Sequence, residues 1–188
     1  MIKQRSGDNS GNYHADGNMH IGNNIINSPE SRYNAYKALA DEFHKEIANQ
    51  NNEFCEVIKK LEHYSSQKNN DKRGLKQKLI DGKYENDYDW ASELKENYTK
   101  KLTETTLSPA TQKIHAYLLA RVYTLFKNTI EFSIHESATS NYIKRLIEKE
   151  VIQPVEDIFG IDNVLELYSD DIYAMIYFLT GNCHLKWD

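Results

Sequence analysis

Apolar residues recur at helical spacing from Ser28 onward. Ser28, Pro29 and Glu30 supply a capping hydroxyl, a proline suited to the first turn and an acid that favours a helix N-terminus. The stripe that follows steps by three, four or seven residues and consists of Tyr36, Ala40, Phe43, Ile47, Phe54, Ile58 and Leu61. Only the polar patch at 50–52 interrupts it. This spacing predicts one long N-terminal helix, either a strut of a bundle or a coiled-coil arm.

The same spacing predicts further helices downstream, at 88–105, at 108–135, from Tyr142 to Pro154, as a short turn to Gly160, and at 169–180. Ser108 and Pro109 repeat the capping signal of the first helix. Pro154 is expected to end its helix because proline cannot donate the helical hydrogen bond. The final helix is expected to begin at a Ser169-Asp170-Asp171 cap and to stop at Gly181.

The stretches between these helices are polar. The sequence SSQKNNDKRG at 65–74 predicts a linker, the segment to Gly82 carries too few apolar residues to predict a helix, and 163–168 is ambiguous. No series of strand-like segments follows residue 28. The sequence therefore predicts an all-α fold, a helical bundle that forms one interaction domain over 28–188.

Residues 1–27 have a different composition, rich in glycine and asparagine. Asp16-Gly17 is a dipeptide typical of two-residue hairpin turns, and short segments with alternating polarity flank it. A lone hairpin is marginal in water. Two interpretations stay open for this segment: a disordered flexible tail, or strands that pair with a partner or another copy.

The overall charge argues against broad nucleic-acid binding. The net charge is −5, the isoelectric point is near 5.8 and the mean hydropathy is −0.73, whereas non-specific binding to phosphates needs a dense positive face. The two cysteines, Cys55 and Cys183, are far apart in sequence, which favours a reducing compartment over a disulfide framework. No apolar run approaches the length of a membrane span. A cytoplasmic protein is expected.

No constellation of residues predicts catalysis or metal binding. Cys183 and His184 are adjacent, and neighbouring residues seldom ligate one ion; no second zinc-ligand pair accompanies them. Asp41 and His44 form one imperfect half of a di-iron helical motif. Phosphate-binding glycine loops and nucleophile elbows are absent from the sequence. We therefore predict no catalytic, cofactor-binding or metal site.

The chain ends on LTGNCHLKWD, an apolar and aromatic sequence where fraying is usual. Burial of Trp187 is worth several kcal/mol, on a scale of roughly 3–5 kcal/mol for truncation of such a side chain. That gain requires the ending to fold back against a surface. Packing on the chain's own bundle is the favoured interpretation; contact with a partner is the alternative, and the two are compatible if the closed core forms a docking face.

The ending resembles the C-terminal signature of proteins in bacterial ABC-three component defence systems. The matching positions are Asp171, Met175, Tyr177, Leu179, Gly181, Cys183, His184 and Trp187. The likeness covers about the last 50 residues best, and the middle helices match only in type. These systems combine an ABC ATPase of the SMC and Rad50 type, a middle component and an effector, and the resemblance implies assembly with the ATPase and an effector. Family members usually carry an effector in front of this domain, so a stand-alone interaction module is expected here.

The leading functional prediction is a non-enzymatic adaptor of an antiviral ABC-ATPase complex, in which the signature residues order a face that docks the ATPase and an effector. Self-association through 1–27 is left open, and neither a membrane nor a direct nucleic-acid contact is expected. The alternative is a small helical DNA-binding regulator. That alternative needs Lys144, Arg145 and Lys149 on one basic face, but Glu148 and Glu150 lie among them.

Overall fold

A computed structural model describes residues 29–49, 57–68, 73–104, 108–160 and 162–188, and within these ranges every regular element is helical. The α-helices are α1 (Pro29–Ala48), α2 (Lys59–Ser65), α3 (Leu75–Asp81), α4 (Tyr88–Glu104), α5 (Pro109–Leu125), α6 (Phe132–His135), α7 (Ser140–Ile147), α8 (Gln153–Phe159) and α9 (Ser169–Gly181). The predicted all-α bundle is confirmed. The two interpretations of 1–27 concern residues outside the described ranges.

The N-terminal stripe does not form one continuous helix. Helix α1 buries Tyr36 and Ala40 and ends at Ala48. Ile58 then has an extended backbone, with φ −66° and ψ 139°, and α2 begins only after it. The backbone N–H of Ile58 donates to Oε1 of Gln112 at 2.9 Å, so a side chain of α5 replaces a helical partner. The prediction of an unbroken helix to Leu61 is therefore wrong.

Helix α3 lies in a segment for which no helix was predicted. Leu75, Lys78 and Leu79 are its buried positions, at the i, i+3, i+4 spacing of one helical face. Lys78 counts as polar in any hydropathy pattern, yet it is fully buried, and its Nζ donates to the backbone carbonyl of Thr180 at 2.9 Å. The hydropathy pattern does not predict this helix because a lysine occupies the centre of its buried face.

The helix from Ser108 matches its prediction closely. The Ser108 hydroxyl accepts from the backbone N–H of Thr111 at 3.2 Å, which is the predicted cap. Helix α5 continues through a π-helical segment, Phe126–Glu131, into α6, so the chain stays helical to His135. The predicted extent of this helix is confirmed.

Pro154 does not end the next helix. Helix α7 passes through a π-helical segment, Glu148–Ile152, into α8, where Pro154 lies in the first turn. A π turn widens the helix and shifts its hydrogen bonds by one residue, which relieves both consequences of a proline, the missing donor and the ring clash. The prediction of a stop at Pro154 is therefore wrong.

Helix α9 lies at the centre of the bundle and packs against α3, α4, α5 and α8. Its residues from Ala174 to Thr180 are all buried, so it is covered on every side. The segment after α9 therefore leaves from the middle of the core. None of the helices in the described ranges is long and apolar enough to cross a membrane.

Candidate functional site: the C-terminal closure

The residues after α9 form a Schellman turn. The backbone N–H of His184 donates to the carbonyl of Leu179 at 2.8 Å, and the N–H of Cys183 donates to the carbonyl of Thr180 at 3.1 Å. Cys183 occupies the left-handed position of this turn, with φ 64°. Glycine usually fills that position, so the prediction that Gly181 is the stop is wrong by two residues. Gly181 is the last residue of α9 itself.

The left-handed cysteine is held by contacts to the segment between α2 and α3. The Cys183 thiol donates to the carbonyl of Arg73, and its sulfur accepts from Nε2 of Gln67, each at 3.6 Å. A non-glycine residue in this conformation costs roughly 1–2 kcal/mol. The side chain that incurs this cost joins the helix end to Gln67 and Arg73, a link that glycine would not make.

Asn182 and His184 contact the same segment on either side of Cys183. The Asn182 side chain donates to the carbonyl of Tyr64 at 3.2 Å, and the backbone carbonyl of Asn182 accepts from the N–H of Lys68 at 3.2 Å. Nε2 of His184 lies 3.1 Å from the carbonyl of Ser66, so this nitrogen carries the proton of a neutral ring. Three consecutive turn residues therefore fasten the segment that follows α2.

The His184 ring is enclosed by aromatic side chains. The rings of His63, Tyr64 and Tyr123 lie edge-on to it, with centroids at 5.3, 5.5 and 6.4 Å. His184 is 3% exposed. This burial, followed by the positive charge of Lys68, lowers the pKa of His184 to about 4. The ring is a neutral packing element at neutral pH.

Trp187 occupies the centre of a second aromatic group. Its indole N–H donates to Oγ1 of Thr180 at 2.9 Å, and the side chain is 2% exposed. The rings of Tyr84, Phe126 and Tyr177 surround the indole, with centroids at 4.8, 5.3 and 6.2 Å. The predicted fold-back of the chain end onto its own bundle is what the structure shows.

The neighbours of Trp187 fix the backbone as well. The N–H of Lys186 donates to Oε1 of Glu131 at 2.9 Å, and the other oxygen of Glu131 accepts from Lys127 at 2.7 Å. The Asp188 carboxylate binds the Arg73 guanidinium through both oxygens, at 2.7 and 3.1 Å. Backbone and side-chain contacts therefore continue to Asp188. Residues 182–188, packed on the bundle in this way, are called the C-terminal closure.

The eight signature residues do not form one cluster. Met175 and Leu179 are core residues, and Tyr177 joins the aromatic group of Trp187. Asp171 lies in the first turn of α9, at the other end of the helix, where it accepts from the N–H of Tyr168 at 3.1 Å and pairs with Lys101. Of the predicted Ser169-Asp170-Asp171 cap, Asp171 therefore supplies the capping contact, and the N-cap position is Tyr168.

Several residues around the closure escaped sequence analysis. Lys78, Gly82, Tyr84 and Glu131 all contact residues of the ending or their immediate partners. Three of them lie in or just after α3 and Glu131 lies in the π-helical segment, all far from the ending in sequence, so spacing along the chain carries no signal for their meeting with it. The one local signal is the i, i+3, i+4 spacing of Leu75, Lys78 and Leu79.

A second buried histidine lies in the same core. Nδ1 of His115, on α5, is 3.0 Å from the Tyr98 hydroxyl, on α4. Burial, followed by the charge of Lys101, lowers the pKa of His115 to about 4. The phenol hydroxyl can donate or accept, so either tautomer of the neutral ring can form this hydrogen bond.

These two histidines predict a loss of stability in mild acid. In the unfolded chain each ring titrates near 6.5, whereas in the folded chain it titrates near 4. The unfolded state binds more protons between these values, so the free energy of unfolding falls as the pH is lowered from 6.5 towards 4. We expect a drop of about 4 kcal/mol between pH 7 and pH 5, about 2 kcal/mol from each ring, measured by urea denaturation. A His115→Gln variant is expected to show about half of that slope; an unchanged free energy across this range would contradict the assignment.

The described residues offer little for a chemical site. None of their His, Cys, Asp and Glu side chains group in threes with a geometry suited to a metal ion, and Asp41 and His44 gain no further ligand there. A groove of about 670 Å³ lies between α2 and α4, bordered by residues such as Leu61, Leu102 and Phe178. Its lining is mixed, with Lys95 and Glu62 among the charged residues, and it presents no paired acid and base.

Comparison with known proteins gives one match. A family model described as CTD9, C-terminal domain 9 of the ABC-three component (ABC-3C) systems, matches residues 74–187. No curated protein and no solved structure matches the chain. The match begins just before α3 and ends at Trp187, so it covers the middle helices as well as the signature, and the resemblance seen in the sequence is confirmed. The domain is a component of these systems other than the ATPase itself. Because the match spans more than half of the chain, the protein belongs to the C-terminal domain 9 family of the ABC-three component systems.

Proposed function

We propose that this domain is a non-enzymatic assembly subunit of an antiviral ABC-three component complex, and that it docks an effector and the SMC/Rad50-like ABC ATPase in the cytoplasm. Family membership supports a role beside such an ATPase. In this proposal the signature residues act indirectly: they hold the bundle closed, and its outer surface is the part that partners contact.

The proposal rests on the contacts that the potentially reactive side chains of the ending make. The Cys183 thiol, the His184 ring and the Trp187 indole each bond to a group of the same chain. A nucleophile or metal ligand has to face a substrate or an ion. All three instead lie within the core, each less than a tenth exposed, which favours architecture over reaction chemistry.

The charges of α7 and of the π-helical segment after it support docking to protein more than to DNA. Nζ of Lys144 lies 2.7 Å from Asp87, and Nζ of Lys149 lies 3.1 Å from Glu150. Lysines that are paired with carboxylates of their own chain release fewer counterions on contact with phosphates, so they add little to DNA affinity. The DNA-binding alternative gains no support from these contacts.

Co-purification tests the proposal. The tagged full chain is co-expressed with the ATPase and the effector of its own system, and we expect both to be retained. Trp187→Ala is expected to weaken retention because it opens the closure. Gly74→Ala serves as the matched control because a methyl group there would have no atom within 4 Å, so it should retain both partners.

Two results would overturn the proposal. One is the absence of any association between the wild-type chain and either partner under low-salt conditions. The other is turnover of nucleic acid, peptide or nucleotide by the purified chain alone, because that would make it the effector.

A further inference from the structure

Five aromatic rings form a continuous row from the core to the surface. Their order is Tyr84, Trp187, Tyr177, Trp90 and Tyr173. The centroid of Trp90 lies 5.6 Å from that of Tyr177 and 5.1 Å from that of Tyr173. The row begins with the buried Tyr84 and Trp187, and its outer part contains Trp90, which is 44% exposed. The C-terminal closure therefore supports an aromatic surface on the outside of the bundle.

A small pocket opens beside this row. Its volume is about 80 Å³, and its lining combines the five rings with Asp87, Lys144 and Ile147. That volume is several times the space one water molecule needs. Exposed tryptophans are the side chains that most often anchor protein interfaces, particularly next to a pocket.

The rim of the pocket is acidic. Asp87 lines it directly, and Glu148 lies beside it, where its Oε2 accepts from the Tyr173 hydroxyl at 3.1 Å. Burial, followed by the charge of Asp87, raises the pKa of Tyr177 well above its ordinary value, so its ring stays neutral. Neutral rings with electron-rich faces and nearby carboxylates together attract organic cations.

Lys144 shows how a cation is held at this rim. Its Nζ lies 2.9 Å from Oδ1 and 2.7 Å from Oδ2 of Asp87. The Lys144 side chain is 53% exposed, and an exposed ion pair of this kind contributes only about 0–1 kcal/mol. A competing cation can therefore displace it at small cost.

No lysine of the described residues lies over a ring of the pocket, and Trp90 is its exposed ring. In the described part of the chain, the lysines that lie over tyrosine rings are Lys60, Lys68, Lys76 and Lys127, and their rings are Tyr64, Tyr123 and Tyr88. None of these rings belongs to the pocket. Lys144 pairs with the Asp87 carboxylate and lies over none of the five rings.

We propose that the pocket formed by Trp90, Tyr173 and Asp87 binds an arginine or lysine side chain of a partner protein. The cationic head exchanges with Lys144 at Asp87, and its aliphatic stem packs against Trp90. The acidic rim and the net charge of −5 select a basic segment and disfavour phosphate groups. The inference relies on the proposed assembly function for the identity of the partner, whereas the cation site itself can be tested without one.

Titration of the full chain tests the site. The probes are N-acetyl-arginine N-methylamide and its citrulline analogue, which has nearly the same shape and no charge. We expect the arginine probe to shift the Trp90 indole resonance in a saturable manner at millimolar concentration and the citrulline probe to leave it in place. Lys144→Met removes the competing ammonium, so it should tighten arginine binding at least about threefold, and Asp87→Asn should weaken it by a similar factor.

Equal shifts from the two probes would overturn the proposal, since they would show that the charge is not recognised. So would an unmoved Trp90 resonance in both the wild type and Lys144→Met. The Trp187 indole, buried in the inner part of the row, reports whether the fold is preserved.

Co-purification separates this inference from the assembly function. Trp90→Ala leaves the buried end of the row in place, so the fold is expected to persist. If the wild type retains its partners and Trp90→Ala loses one of them, the pocket is a docking point. If both retain them equally, the docking inference fails while the assembly function stands; if neither retains any, the assembly function fails, and the arginine titration alone decides the cation site.

Discussion

Replacement of Trp187 by alanine is expected to lower the free energy of unfolding by about 4 kcal/mol. The indole is 2% exposed and lies among three aromatic rings, so its removal leaves a cavity that the rigid α9 and α5 helices cannot fill. Most of the loss comes from packing. The Thr180 hydroxyl also donates to the carbonyl of Ile176 at 2.8 Å, so it keeps one hydrogen bond when the indole N–H is gone. Urea denaturation followed by circular dichroism measures the change.

Two variants make this prediction specific. Trp187→Phe keeps a buried ring and removes only the N–H donor and part of the volume, so we expect less than half the loss of the alanine variant. Trp90→Ala removes the other tryptophan of the chain at a site that is 44% exposed, and it should cost about 1 kcal/mol. Equal losses from the two alanine variants would show that the closure contributes no special stability.

Sequence periodicity identified the helices in which apolar residues recur along the buried face, even where Gln112 and His115 of α5 lie among them. Helix α5 with its Ser108 cap, helix α4 and the final helix follow directly from it. The pattern failed where a polar or imino residue is accommodated by tertiary structure. Lys78 is buried in α3 against a carbonyl of α9, and Pro154 lies in a helix that a π turn widens. Neither the buried position of Lys78 nor the helical position of Pro154 could be predicted from the neighbouring residues.

The candidate site, like the fold, could be predicted from the sequence only in part. The burial of Trp187 could be inferred because a terminal aromatic residue gains free energy only by folding back. Its partners could not, since Tyr84 and Phe126 come from distant segments that only the three-dimensional packing brings together. The helix stop was wrongly assigned to Gly181 because glycine is the residue that most often occupies the left-handed position after a helix. Cys183 holds that position instead, through contacts to Arg73 and Gln67.

The close approach of Gly82 to the chain end gives the second large effect. A methyl group at Gly82 would lie 2.6 Å from the carbonyl oxygen of Trp187 and 2.8 Å from its Cβ. Backbone atoms held by the Lys186–Glu131 hydrogen bond cannot shift as the tip of a flexible side chain can. Because φ of Gly82 is −78°, alanine fits the local backbone, and the penalty is purely one of contact. We expect Gly82→Ala to lower the free energy of unfolding by about 3 kcal/mol.

Two other glycines provide matched controls for this substitution. Gly74→Ala places its methyl group in open space, and Gly181→Ala places it against the end of the Lys95 side chain, which can move aside. Both should change the free energy of unfolding by less than about 1 kcal/mol. If Gly82→Ala is destabilising and also loses the near-ultraviolet signal of a packed Trp187, the chain end is held against the α3 terminus as described. A Gly82→Ala protein as stable as the two controls would mean that the Trp187 backbone is free to move away. That result would contradict the conclusion that the closure holds the bundle together.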